Sequence, residues 1–321
     1  MNYVYPKLSA HDLGVVRLGG AGLGNILFAW ARAAVFARDS GCEMIWPTWP
    51  SIKLGPWLRR EPDKRFYGDL FQNRQGAIGG FRKLRLLASC SRLREEQREN
   101  IRLEDETIVE FTGFEGCFES LLYEYRYIYH LITSNLKEKN RVPLEDAFGR
   151  EASRSAAVHI RLGDFGRVSE KEVRGGRHDS ALPLSWYVQI IGEIRRFAGE
   201  DLPVCVFSDG SEEELEPVLS LPGVKRLSFG TSIADILALS RFPLLVASGS
   251  SFSMWARYLG RANCICYVNQ RKQKLLTPEE DRFEIETDGI IDEETGRQIA
   301  KLYRKSERAD SKETAIPNRT E

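Results

Sequence analysis

The second half of the chain switches repeatedly between two hydrophobic periods. Residues 156–162, AAVHIRL, form a continuous, β-branched apolar run of strand length. In residues 184–197 the apolar positions Trp186, Tyr187, Ile190, Ile191, Ile194 and Phe197 recur at helical spacing. LPVCVF (202–207) again reads as a strand, and Ser211 with Glu214 has the form of a capping box opening a short acidic helix that ends near Pro222-Gly223. VKRLSF predicts a strand, Ser232 with Asp235 the start of the helix IADILALSRF, and PLLVAS a buried strand. SFSMWARYLG predicts a helix closed by Gly260, and NCICYV a further strand. Strands alternating with helices predict an α/β fold with a doubly wound parallel sheet.

The first half starts in the same way: a strand at 15–18, a glycine turn, a helix over 25–39 stopped by Gly41, then EMIWP. Residues 81–102 carry Arg82, Lys83, Arg85, Arg92, Arg94, Arg98 and Arg102 against Glu95, Glu96 and Glu99. They read as a solvated helix pair or as a basic surface facing an anionic glycolipid or the inner membrane surface, a peripheral association. Residues 105–118 predict a strand and turn, and the aromatic-rich 123–132 a buried helix. A hinge over 140–153 divides the chain into an N-terminal domain, 1–150, and a C-terminal domain, 151–304. The polar, aperiodic 305–321 reads as a disordered tail.

Composition narrows the partners. The 321 residues carry 46 basic and 46 acidic side chains, so no global charge draws the chain to nucleic acid or to an anionic membrane. Six cysteines contain no C-x-x-C pair and read as reduced core residues. Together with the absence of a membrane-length apolar run or signal-peptide layout, this predicts a cytoplasmic protein.

The chemistry-bearing residues fall beyond the carboxyl ends of predicted strands, where open α/β sheets bind ligands. GGAGLGN (19–25) follows VVRL, HIRLGD (159–164) ends one strand, SDG follows VCVF, and SGSSFS follows LLVA. The first is not a dinucleotide fingerprint, because Asn25 stands where the third glycine of G-x-G-x-x-G belongs. Gly22 and Gly24 would let a ligand approach the backbone, and Asn25 could offer an amide; the alternative is a plain turn with an Asn cap. His159 and Arg161 lie two apart and share a strand face. An arginine at the end of a buried strand suits a diphosphate, or else pairs structurally with Asp164. Asp209 reads equally as a nucleotide contact or as the cap of the following helix. Ser248, Ser250, Ser251 and Ser253 surround a helix start, which offers hydroxyls, free amides and the helix dipole to a phosphate. The polar loop 175–187, with His178 and Asp179, reads as a lid or acceptor-binding segment. Four scattered histidines and the lack of D-x-D after a strand predict no metal site.

Taken together these motifs resemble the bacterial α-1,2-fucosyltransferases of glycosyltransferase family 11. GGAGLGN resembles their G-G-L-G-N, HIRLGD their H-x-R-R-G-D, and RHDSALPLSWY their His, Leu-Pro-Leu and aromatic-pair segment. FSDG is similar to their Phe-Ser-Asp, SGSSFSMWARYLG to their S-N-S-S-F-S-W-W-G-A-W-L, and GFEGCFES (113–120) to their G-Y-F-Q-S. The order holds from about residue 14 to 260. The resemblance implies a GT-B fold of two Rossmann-like domains facing a central cleft. It also implies an inverting transfer of fucose from GDP-fucose, without a metal or other cofactor, to a hydroxyl such as the galactose 2-OH of a bacterial surface glycan or its precursor. Its partners would be the nucleotide sugar and the glycan acceptor, not nucleic acid.

Carried over residue by residue, Arg161 would neutralise the leaving diphosphate. His159, Asn25, Ser250, Ser251 and Phe252 would contact phosphate and sugar, Asp209 would hold the nucleoside, and Asp164, His178 or a donor phosphate oxygen would take the acceptor proton. The chain departs from the pattern at Leu162 (for the second arginine), Gly249 (for asparagine), Met254 (for tryptophan) and Arg257 (near a small residue). Residues 46–71 have no counterpart. These departures keep open another nucleotide sugar or an inactive GDP-binding protein of the same fold. An NAD oxidoreductase is the remaining alternative.

Overall fold

The computed structural model describes residues 2–58, 64–74, 76–100, 106–141, 147–163 and 165–313. Its contacts divide the chain into two compact units, 1–142 with 231–234, and 143–230 with 235–321. Each is α/β and built on a parallel sheet.

The first unit contains β1 (Tyr3–Pro6), β2 (His11–Asp12), β3 (Arg17–Leu18), α1 (Leu23–Ser40), β4 (Glu43–Met44), β5 (Ser51–Ile52), α2 (Leu54–Leu58), α3 (Gly80–Ser89), β6 (Ser91–Arg94), β7 (Thr107–Phe111) and α4 (Tyr125–Ser134). Its main sheet has the order β4-β1-β7-β6, all parallel. The central strand is β1, YVYP, whose four residues are all buried. The strand predicted before the glycine turn is only β3. It pairs antiparallel with β2 and parallel with β5 in a separate three-stranded sheet. A hairpin therefore stands between the first core strand and α1, and its alternating apolar residues imitate a core strand in sequence. Gly41 does stop α1, in the left-handed conformation.

Of the segment 81–102, the described residues 81–100 are not a helix pair. α3 is followed by β6, which pairs with β7, and by a 3-10 turn over Glu95–Asn100. Nor is α4 wholly buried, since only Ile128, Leu131 and Ile132 face the interior.

The second unit contains α5 (Ala147–Ser153), β8 (Ala156–Ile160), α6 (Glu170–Arg174), α7 (Leu184–Ala198), β9 (Val204–Ser208), α8 (Glu212–Leu219), β10 (Val224–Arg226), α9 (Ser232–Leu239), β11 (Leu244–Ala247), α10 (Ser251–Gly260), β12 (Asn263–Tyr267), β13 (Glu284–Thr287) and α11 (Glu293–Glu313). The six strands are parallel in the order β10-β9-β8-β11-β12-β13, the two-way winding of a Rossmann sheet. Both faces of the sheet are covered. Ala156, Val158 and Ile160 of β8 pack with Trp186, Ile190 and Ile194 of α7, as the helical spacing predicts. Ala157 joins Phe207, Leu245 and Ala256 on the other face. The apolar runs are continuous for this reason: a strand buried on both faces has no polar side to alternate with. β13 and α11 were not recognised in the sequence. The backbone helix of α11 continues through 305–313, while 314–321, the remainder of the expected tail, lie outside the described residues.

All six cysteines are free. Among the described residues no helix is long and apolar enough to cross a membrane.

Candidate functional site

The winding of the six-stranded sheet reverses between β8 and β11, and a doubly wound sheet opens its ligand crevice at the carboxyl ends of such a pair. His159 is the fourth residue of β8, and Ser248 follows the last residue of β11. The His159 Nδ1 lies 2.8 Å from the Ser248 hydroxyl oxygen. Its ring stacks on Phe252 at 4.8 Å between centroids, with 13° between the planes. Ser248 donates in turn to the Ser250 hydroxyl at 3.1 Å. With that hydroxyl hydrogen committed, Ser248 accepts from His159, so the imidazole carries its proton on Nδ1 and leaves Nε2 as an acceptor.

His159 is buried, and desolvation pushes its pKa down to about 3, with Asp209 raising it and Arg161 lowering it further. It is therefore a neutral hydrogen-bonding group at physiological pH, neither a cation for phosphate nor an efficient base. A consequence for stability follows from the sign of this shift. Because the folded pKa lies below that of an unfolded histidine, the unfolded chain binds the extra proton first. Stability is then lost as pH falls through the range from about 6.5 toward 3, by up to about 1.4 kcal/mol per pH unit. Urea unfolding of His159→Gln between pH 4 and 7 is expected to show a shallower pH dependence than the parent chain. An equal slope would mean that the imidazole is protonated in the folded state.

Ser250 caps α10, its hydroxyl accepting from the Ser253 amide, and the Ser253 hydroxyl donates to the Ser250 carbonyl at 3.1 Å. Ser251 and Phe252 are the first helical residues, where backbone amides have no carbonyl four residues back. Together they form the helix start, with clustered serines, that the sequence marks as a candidate phosphate site. Three of the four turn out to hold the terminus itself together. Gly249 stands where the family pattern has asparagine. Its φ of +70° lies in the left-handed region, which glycine and asparagine both tolerate better than other residues. The departure therefore preserves the turn.

On the other side of β8, the Arg161 guanidinium lies 2.7 Å from Asp209 Oδ2, and the Leu162 amide donates to Asp209 Oδ1 at 2.9 Å. Asp209 is not a helix cap: Ser211 performs that task for α8 in a complete capping box with Glu214, as predicted. The glycine of HIRLGD has its own reason. A Cβ on Gly163 would lie 2.3 Å from Asp209 Oδ2, so only glycine lets that carboxylate approach. Asp164 lies outside the described residues. The pair expected between Arg161 and Asp164 therefore lies outside the described residues, and the partner seen for Arg161 is Asp209. Leu162 turns toward a cavity of about 460 Å³ that it lines with Val168, Val173, Leu182 and Pro183. It offers an apolar wall where the family pattern has a second guanidinium.

The loop bearing His178 is anchored. Gly166 bridges Ser180, Ser169 and Glu172 form a capping box on α6, and Gln270 donates to the Val173 carbonyl at 2.8 Å. His178 is exposed on this loop and is not joined to the His159–Ser248 network. In the first unit, Gly22 is the N-cap of α1 and Gly24 is buried in its first turn; the left-handed glycines of the turn are Gly19 and Gly20. Asn25 is half-buried in that first helical turn and is not the cap. Among the described residues no group of three or more His, Cys, Asp or Glu side chains is placed to hold a metal ion. Nothing local in the sequence pairs Arg161 with Asp209, because the two follow different strands, although each belongs to a distinctive motif.

A sequence model of glycosyl transferase family 11 matches residues 100–290, a span that includes every site residue of the second unit. No curated protein matches the chain. Among solved structures, the fucosyltransferase NodZ from Bradyrhizobium is similar over 80% of this chain and 92% of its own, with 16% identity and a TM-score of 0.49. POFUT1 in complex with GDP is similar over 81% of this chain and 95% of its own, with 12% identity and a TM-score of 0.45.

Proposed function

The chain belongs to glycosyl transferase family 11, and on that premise we propose that it transfers fucose from GDP-fucose, with inversion, to a hydroxyl of a bacterial surface glycan or its precursor. The galactose 2-hydroxyl is the acceptor that the resemblance of its motifs implies. The observation that carries this reading is the convergence of Arg161, neutral His159 and the α10 N-terminus on the β8/β11 switch point of a Rossmann sheet.

In the proposed step the acceptor oxygen attacks the anomeric carbon while the bond from that carbon to the β-phosphate oxygen breaks. The bonding pair leaves on the diphosphate. Charge grows there in the transition state, and groups oriented beforehand toward it stabilise the transition state more than the ground state. Arg161, held by Asp209, and the Ser251 and Phe252 amides supply that stabilisation. His159 Nε2 accepts a hydrogen bond from the ligand, and Ser250 and Ser251 offer hydroxyls. Asp209 reaches the nucleoside while it holds Arg161. The resemblance would have Asn25 of the first unit contact the ligand as well. The acceptor proton passes to Asp164, His178 or a donor phosphate oxygen.

Because the proposed neutralising groups are a guanidinium and a helix terminus, transfer is expected to continue at an unchanged rate in EDTA. GDP at about a hundred times its Kd is expected to stabilise the fold by about 2.7 kcal/mol, read as a rise in unfolding midpoint. A panel of nucleotide sugars, with products identified by mass, tests the donor. Transfer from a different nucleotide sugar, or a shift with another nucleotide and none with GDP, would overturn the donor assignment. Binding of GDP without turnover of any donor would identify a binding protein that has lost catalysis.

A further inference from the structure

The first unit exposes apolar side chains on its three-stranded sheet and on α3. In the three-stranded sheet Leu18 of β3 lies directly beside Ile52 of β5, and the two are 46% and 52% exposed. Their neighbours Arg17 and Ser51 are buried, so alternation along both strands puts the leucine and isoleucine on one outward face. Leu13 and Val15, each 61% exposed, stand in the turn that joins β2 to β3. That turn rests on α3, because a Cβ on Gly14 would come within 2.8 Å of Leu84 Cδ2. Leu84 and Phe81, three residues apart on the same helix face, continue the apolar surface, with Phe81 83% exposed.

The segment of helix and strand that borders it is basic. Residues 76–94 contain Arg82, Lys83, Arg85, Arg92 and Arg94 with no aspartate or glutamate, in a chain whose net charge is zero. Lys83 turns inward to Thr48, Arg82 pairs with Glu43 and Arg92 with Glu110. Arg85 stands exposed one turn beyond Phe81, beside Leu84. An exposed aromatic and aliphatic face edged by arginine is the composition that inserts at a bilayer interface and is drawn there by anionic headgroups.

We propose that this face docks the protein on an anionic phospholipid surface. A second copy of the chain fits less well, because a two-fold contact across the same patch would bring the basic edge of one copy against that of the other. The transfer activity plays no part in this inference.

Co-sedimentation with vesicles tests it directly. The chain is expected to pellet with phosphatidylglycerol-containing vesicles, to remain in solution with phosphatidylcholine alone, and to be released from the former at about 0.5 M salt, where the Debye length falls below about 5 Å. Val15→Glu and Phe81→Glu are expected to weaken binding at least about tenfold, since each places a charge where an apolar group would enter the interface. Arg85→Glu should weaken it through charge alone. These positions are exposed, and unchanged unfolding midpoints will show that the variants fold. The proposal is overturned if the parent chain ignores anionic vesicles, or if the three variants bind them as the parent does. It is equally overturned if sedimentation velocity reveals a dimer that Phe81→Glu separates while vesicles bind neither form.

Discussion

Arg161→Ala is expected to lower the turnover of GDP-fucose by about 10²–10³-fold, the usual cost of removing one preorganised donor from a developing anion. It should also abolish the thermal shift produced by GDP. The guanidinium ends a strand of the switch-point pair and is already oriented by Asp209, so little reorganisation accompanies bond cleavage. The fold itself should barely notice the change. Arg161 and Asp209 keep 21% and 28% of their side-chain surface, and partly exposed ion pairs contribute at most about 1 kcal/mol. Circular dichroism and the unfolding midpoint without ligand should therefore match the parent chain while kcat collapses. Arg161→Lys should recover only part of the rate, because an ammonium cannot present two parallel N–H groups to a diphosphate. Full turnover by Arg161→Ala would remove this residue from the reaction.

Arg257→Ala is expected to have the opposite profile, a loss of about 3–5 kcal/mol of stability, read by urea unfolding. Arg257 projects from α10 into the interior and pairs with Glu284 of β13 at 3.1 Å, the two side chains being only 2% and 4% exposed. It also donates to the Gln273 carbonyl at 3.3 Å, while the second Glu284 oxygen accepts from the Leu275 and Leu276 amides. A single side chain thus ties α10 to the edge strand and to the segment before it. Removing it leaves a carboxylate in a site with almost no water, and the desolvation of that charge dominates the cost. Arg257→Met combined with Glu284→Gln should recover part of the loss, because neither buried charge then remains. A cost under about 1 kcal/mol for Arg257→Ala would show that water reaches the pair in solution.

The same residue shows where the sequence was readable and where it was not. Arg257 was visible as a departure near a usual small residue, yet nothing local identified its partner 27 positions away on a strand that had not been recognised. Short-range signals were reliable. The capping box of Ser211 with Glu214, the stop at Gly41 and the buried face of α7 depend on residues within one or two helical turns, and each formed where periodicity placed it. β1 was overlooked because four residues, one of them proline, give no measurable period. The hairpin strand β3 was mistaken for the core strand because a two-residue strand beside a glycine turn has the same local pattern.

By itself, the sequence determined the α/β class, the elements from β8 to β12 apart from α6, and the family to which the motifs belong. Those properties rest on apolar periodicity and on residue types within each segment. Tertiary structure decided which strands are neighbours, and hence that His159 meets Ser248 across 89 residues and Arg161 meets Asp209. It also decided that Asn25 is not a cap and that Leu162 lines a cavity shared with Arg167, Glu170 and Glu214. These outcomes follow from strand order and from the competition of each polar group for a partner, and such competition is settled only when segments distant in sequence are brought into contact.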